Sequence, residues 1–178
     1  MARTTDCFAS LRKKETLIDH TMVEQDRCVY CGALVVPRRN ASGTTHNLDH
    51  FIPIDIIIIA RASAPSERIA NYLLPCCPRC NSAFGECFFA NFIEKFDYGK
   101  RRTSAHSNRW LLSHNYQFDE LVNIRAPTSL LSMIRPSEEL QSLGKYNILV
   151  PQKRNGRWER VEKALAIPCN HRTFCGGL

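Results

Sequence analysis

The chain has no apolar run long enough to cross a bilayer. Its most apolar stretch, Ile54 to Ala60, falls far short of the roughly 20 residues a spanning helix needs. The N-terminal residues, Met1 to Lys14, are polar and lack the apolar segment of a secretory signal, so a soluble cytoplasmic protein is expected. No internal repeat or low-complexity segment is present. Acidic residues are also short: 17 Asp and Glu stand against 24 Lys and Arg, for a formal charge of +7, which favours a polyanionic partner, nucleic acid first. At 178 residues the chain suits one ordinary domain, or a small core with extensions.

Cysteine, by contrast, is abundant. Nine in a chain of this length, an odd count without a signal segment, argue for reduced thiols and a bound metal rather than a disulfide scaffold. Two Cys-x-x-Cys knuckles stand out, Cys28-Val29-Tyr30-Cys31-Gly32 and Cys77-Pro78-Arg79-Cys80-Asn81. Such a pair reads as a four-thiolate zinc site clamping two segments together. Cys76 adjoins Cys77, so either thiolate could serve, but only Cys77 gives the usual spacing. Between the knuckles lies Leu48-Asp49-His50-Phe51-Ile52-Pro53, a carboxylate and an imidazole side by side.

This constellation resembles the HNH (ββα-metal) endonuclease family, in its version with a structural zinc held by four cysteines. The resemblance covers roughly residues 27 to 96 and rests on Cys28, Cys31, Asp49-His50 with Pro53, Asn71, Cys77, Cys80 and Asn81. It implies that Asp49 and Asn81 hold a catalytic magnesium or manganese ion and that His50 is the general base. Asn71 would fix the loop that orients the histidine, and the reaction would be hydrolysis of phosphodiester bonds in double-stranded DNA. One site per chain suits nicking by a monomer, and a double-strand cut would favour a homodimer. The reading from another class is a zinc-ribbon-like module that binds nucleic acid without catalysis. It explains the cysteines and the charge but leaves Asp49-His50 and Asn81 without a role.

The expected fold is α+β: a ββα-metal core at 27–98 clamped by zinc, an N-terminal helical extension at 1–26 and a C-terminal α/β-hairpin extension at 99–178. Phe8, Leu11, Leu17 and Ile18 suggest the N-terminal helix, with Cys7 and His20 as packing or surface residues. Leu34 to Pro37 and Asn47 to Phe51 read as two strands of a hairpin. Ile54 to Ala60 suits a buried strand or a core helix equally, and Ser66 to Ile69 a single helical turn. Phe84, Phe88, Phe92 and Phe96, each four apart, place four rings on one face of a helix from Asn81 to Phe96 that ends at Asp97-Tyr98-Gly99.

Beyond it, Lys100, Arg101 and Arg102 through Arg109 form a basic stretch without an acidic residue, a candidate for phosphate contact. Helices are expected over 110–122 and 128–143, the second interrupted at Pro136. An Asn155-Gly156 turn between alternating segments signals a hairpin, and its tip, Lys153, Arg154 and Arg157, is basic enough for a DNA groove. Cys169, His171 and Cys175 offer three ligands of a second zinc, with the fourth from Cys7, Cys87 or His114.

Overall fold

The computed structural model describes residues 18–23, 26–35, 48–63, 69–102, 118–140 and 145–166. Its first sheet is built around β3 (Ala70–Pro75). Strand β1 (Asp19–Met22) runs parallel to β3, with His20 opposite Asn71. Strand β2 (Leu48–His50) runs antiparallel on the other side, with Asp49 opposite Leu74 and His50 opposite Leu73. One expectation changes here, since Asp19–Met22 is a strand rather than helix. Strand β2 pairs with β3, and Val36 and Pro37 of the strand expected to pair with it lie outside the described residues. Leu34 makes one isolated bridge to Arg27.

The isoleucine run is helix. Helix α1 (Ile54–Ser63) follows β2 directly, opened by the Pro53 carbonyl, which accepts from the backbone N–H of Ile56 at 3.0 Å. β-Branched residues form helix reluctantly, but Ile56, Ile57, Ile58 and Ile59 are all buried, so tertiary packing overrides local preference.

The second knuckle caps the next helix. In α2 (Pro78–Phe84) the Cys77 sulfur accepts from the N–H of Cys80, and Pro78 fills the first turn, where no amide is needed. Gly85, at φ 56, ends α2. The four phenylalanines therefore do not share one helix: Phe84 closes α2, Phe88 and Phe89 lie in the connection, and Phe92 opens α3 (Phe92–Arg102). Helix α3 runs through Tyr98 and Gly99 rather than stopping there. Gly99 is where α3 passes α2, since a Cβ at this position would meet the Phe84 ring at 2.5 Å.

The C-terminal part begins, among the described residues, with α4 (Phe118–Val122) and α5 (Thr128–Met133). Where a helix is expected to continue, the chain turns into β4 (Ile134–Pro136) and one 3-10 turn, Ser137–Leu140. Proline at the end of a short edge strand has no ladder donor to lose. Strands β5 (Lys145–Arg154) and β6 (Arg157–Ala166) form the hairpin expected around Asn155-Gly156, both at positive φ as a type I′ turn requires. The second sheet has the order β4-β6-β5.

The two sheets share one hydrophobic core, which runs from Ile18 and Phe51 through Phe84 and Phe92 to Ile148 and Leu165. Backbone links reinforce it: Phe88 N–H donates to Leu149 O at 2.9 Å and Ala126 N–H to Ala90 O at 2.8 Å. The whole is α+β, and no described helix is long and apolar enough to cross a membrane. The expected boundary at residue 98 falls inside α3.

Candidate metal centre and adjoining cleft

Cys28 and Cys31 approach Cys77 and Cys80 because the first knuckle is folded against the end of β3. Gly32, at φ 72, turns the chain, and its N–H donates to Cys28 O at 2.9 Å. Val29 N–H then donates to Pro75 O. The four sulfurs lie within 4.8 Å of one another, and Cys31 Sγ is 3.6 Å from Cys77 Sγ. A tetrahedron with zinc–sulfur bonds of ~2.3 Å has edges of about 3.8 Å, so the spacing fits.

The protonation chemistry agrees. Hydrogen bonds from Cys31, and then from Cys76, Cys77 and Cys80, hold Cys28 far toward the thiolate. Supporting that thiolate, with burial added, pushes the Cys77 and Cys80 thiols well above their usual range. Four clustered sulfurs are the donor set a soft dication satisfies. Cys28 and Cys80 are buried and Cys31 and Cys77 partly so, which leaves a closed site of structural type. This is a four-cysteine potential metal site, consistent with structural zinc. Cys76 is a fifth, buried thiol. Burial raises it further from ionisation, and its sulfur donates to the Cys77 carbonyl at 3.4 Å, so Cys77 is the knuckle residue of the cluster.

Beside the cluster opens a cleft of about 310 Å3 lined by Asp49, His50, Asn81, Asp55, Glu86 and Lys95, among others. The structure thus brings three sequence-selected residues, Asp49, His50 and Asn81, to one surface. Asn81 gets there through α2, one residue past Cys80, with its N–H bonded to Cys77 O at 3.0 Å. Asp49 is buried. Its Oδ2 accepts from the Tyr30 hydroxyl and lies 2.7 Å from the Lys95 ammonium. Burial, and then the Asp49 charge, drive the Tyr30 hydroxyl well above its usual pKa, so it remains a donor.

Asn71 is fully buried behind the cleft. Its Oδ1 accepts from Ile52 N–H and Tyr72 N–H, both at 2.9 Å, and its Nδ2 donates to Ile52 O at 2.8 Å. Phe51 N–H donates to Tyr72 O, so the loop after His50 is tied to β3 at consecutive residues.

Comparison with known proteins returned no match by family, among curated sequences or among solved structures.

The site therefore stands on its own geometry, which includes residues that sequence reasoning missed. Lys95 is the largest omission, although Phe92, Lys95 and Tyr98 follow the three-residue spacing of a buried helix face. Tyr30 sits inside the first knuckle, where only the cysteines drew notice. His20, expected at a packing or surface position, lies beside the site. Its ring centroid is 5.2 Å from that of His50, and its Nε2 is buried with no hydrogen-bond partner among the described residues.

The basic residues are less gathered. Lys100 is exposed on α3, while Arg101 and Arg102 fall at its end. Lys153 is exposed, pairs with Asp97 at 2.8 Å and lies over the Trp158 ring. Arg154 and Arg157 are exposed and face each other across the hairpin end. Arg109, and the tail residues Cys169, His171 and Cys175 with Cys7 and His114, lie outside the described residues. Cys87 is a buried free cysteine.

Proposed function

We propose that the chain is a metal-dependent endonuclease of the HNH type that hydrolyses phosphodiester bonds in DNA. The observation that carries this reading is that Asp49, His50 and Asn81 line one cleft next to the four-cysteine cluster. A carboxylate and an amide oxygen are the donors a hard cation takes, so Asp49 and Asn81 would hold magnesium or manganese. Such an ion supplies charge stabilisation at the phosphate and at the departing oxygen. His50 supplies the proton acceptor: a neutral imidazole near pH 7 can take a proton from the attacking water. Asn71 keeps the loop that follows His50 in place, and so limits the positions the ring can take. Zinc at Cys28, Cys31, Cys77 and Cys80 would fix the first knuckle to the start of α2, and thereby Asn81 to Asp49. The net charge of +7 favours a polyanion.

The second reading, a zinc-organised nucleic-acid-binding module without catalysis, draws on the Asp49–Lys95 ion pair, which already neutralises the proposed metal ligand.

One experiment decides between them. Purified protein is incubated with supercoiled plasmid, linear DNA, single strands and RNA, with magnesium or with EDTA. Magnesium-dependent nicking or linearisation of plasmid is expected. His50→Ala should lose ~100- to 10,000-fold in rate while keeping zinc and DNA binding, and manganese should not restore it. Cleavage by His50→Ala at the wild-type rate, in a preparation free of contaminating nuclease, overturns the proposal, and DNA binding without any cleavage favours the module.

A further inference from the structure

Lys95 is 2% exposed, an unusual place for an ammonium. Desolvating it is costly unless the charge is matched by close oxygens, and three are supplied. Its Nζ lies 2.7 Å from Asp49 Oδ2, 3.2 Å from His50 O and 3.3 Å from Phe51 O. The faces of Phe51, Phe84 and Phe89 surround it at 5.7, 5.1 and 5.8 Å to the centroids. These rings add cation–π attraction and keep water away. A carboxylate with two backbone carbonyls is also the kind of oxygen set that hard divalent cations choose. The ammonium therefore occupies a cation cradle.

A buried pair that only joined α3 to β2 would have no need to face the cleft, yet Lys95 and Asp49 both line it. Any divalent cation that engages Asp49 from the cleft must approach an ammonium already on that carboxylate. At the effective dielectric of a protein site, like charges a few ångströms apart repel strongly enough to weaken binding about tenfold or more.

We propose that Lys95 is a built-in cation that competes with divalent metal for Asp49 and sets the metal affinity of the cleft low. Metal then binds firmly only when another anion offsets the ammonium, and a phosphate diester in the cleft is an anion of that kind. This rests on the proposed function only in taking Asp49 as the cation ligand of the cleft.

The test uses zinc-loaded full-length protein without DNA. Manganese binding is followed by the loss of the free-ion spectrum in electron paramagnetic resonance, and thermal stability is measured with and without manganese. Lys95→Met, close in shape but uncharged, should bind one manganese ion at least ~10-fold more tightly than wild type and gain more stability from it. Lys95→Arg, which keeps the charge, should bind like wild type. The double variant with Asp49→Asn should lose the gain. If Lys95→Met folds poorly, Lys95→Gln, which still donates to the two carbonyls, should show the same tightening.

Equal or weaker manganese binding by the neutral variants overturns the inference. So does tightening that survives Asp49→Asn. Cleavage plays no part in the readout. Tighter manganese binding by Lys95→Met beside a wild-type protein that cuts no DNA upholds the inference and counts against the nuclease, whereas wild-type cleavage without tighter binding by Lys95→Met does the reverse.

Discussion

The backbone N–H of Val29 donates to the carbonyl of Pro75 at 2.9 Å, which joins the middle of the first knuckle to the last residue of β3. Cys76 and Cys77 follow immediately, so this one bond brings the two halves of the cysteine cluster into register. The cluster is thus partly preorganised by β-strand chemistry, and metal would complete it.

Cys28→Ser and Cys80→Ser should consequently lose one equivalent of zinc and most of the folded structure, as read by elemental analysis and circular dichroism. Cys76→Ser should keep its zinc with only modest destabilisation, and Cys77→Ser should not. Zinc lost from Cys76→Ser and retained by Cys77→Ser would move the ligand back by one residue.

Asn71→Ala removes both partners of the Ile52 peptide, leaving its buried N–H and C=O unpaired. Each such group costs ~1–3 kcal/mol, so a loss of about 3 kcal/mol in urea unfolding is expected. The loop after His50 should also become more open to proteolysis. A change below about 0.5 kcal/mol would mean that the loop is held some other way.

Gly99→Ala puts a methyl group 2.5 Å from the Phe84 ring, where α3 crosses α2. Phe84 is 1% exposed and cannot swing out cheaply. Overpacking of this kind costs about 1–3 kcal/mol, and a lowered Tm is the expected readout. Unchanged stability would show that the two helices can separate at little cost.

His20→Phe keeps a ring against His50 while deleting both ring nitrogens, of which Nε2 is buried with no partner among the described residues. Removing an unsatisfied polar atom should stabilise the fold by about 1 kcal/mol. A fall in Tm of similar size would mean that Nε2 is bonded in solution.

What could be read from the sequence was what depends on neighbours along the chain. The two knuckles and the Asn155-Gly156 turn are such cases, since sulfur spacing and positive φ are local properties. The Ile54–Ala60 run stayed ambiguous because its residues are buried all round, and periodicity then carries no signal. The phenylalanines at 84, 88, 92 and 96 misled for a related reason. Their spacing fits one helix, but Gly85 takes a positive φ and breaks it. Strand β1 owes its conformation to pairing with β3, far away in sequence. Lys95 was hidden for the same reason, because its partner carboxylate, Asp49, lies on β2 and not among the acids beside it on the helix, Glu94 and Asp97.

The pairing of Cys28 and Cys31 with Cys77 and Cys80 also encircles the intervening chain, with β2, α1 and β3 inside the ring. A metal ion holding these four sulfurs acts as a removable cross-link. Its grip restricts the unfolded chain as well as stabilising the folded one, and the entropy at stake grows only with the logarithm of the enclosed length. In urea, a chain that keeps its metal should therefore sediment as a smaller coil than the same chain after chelation. Refolding from the tethered state should be faster, because the largest loop is already closed.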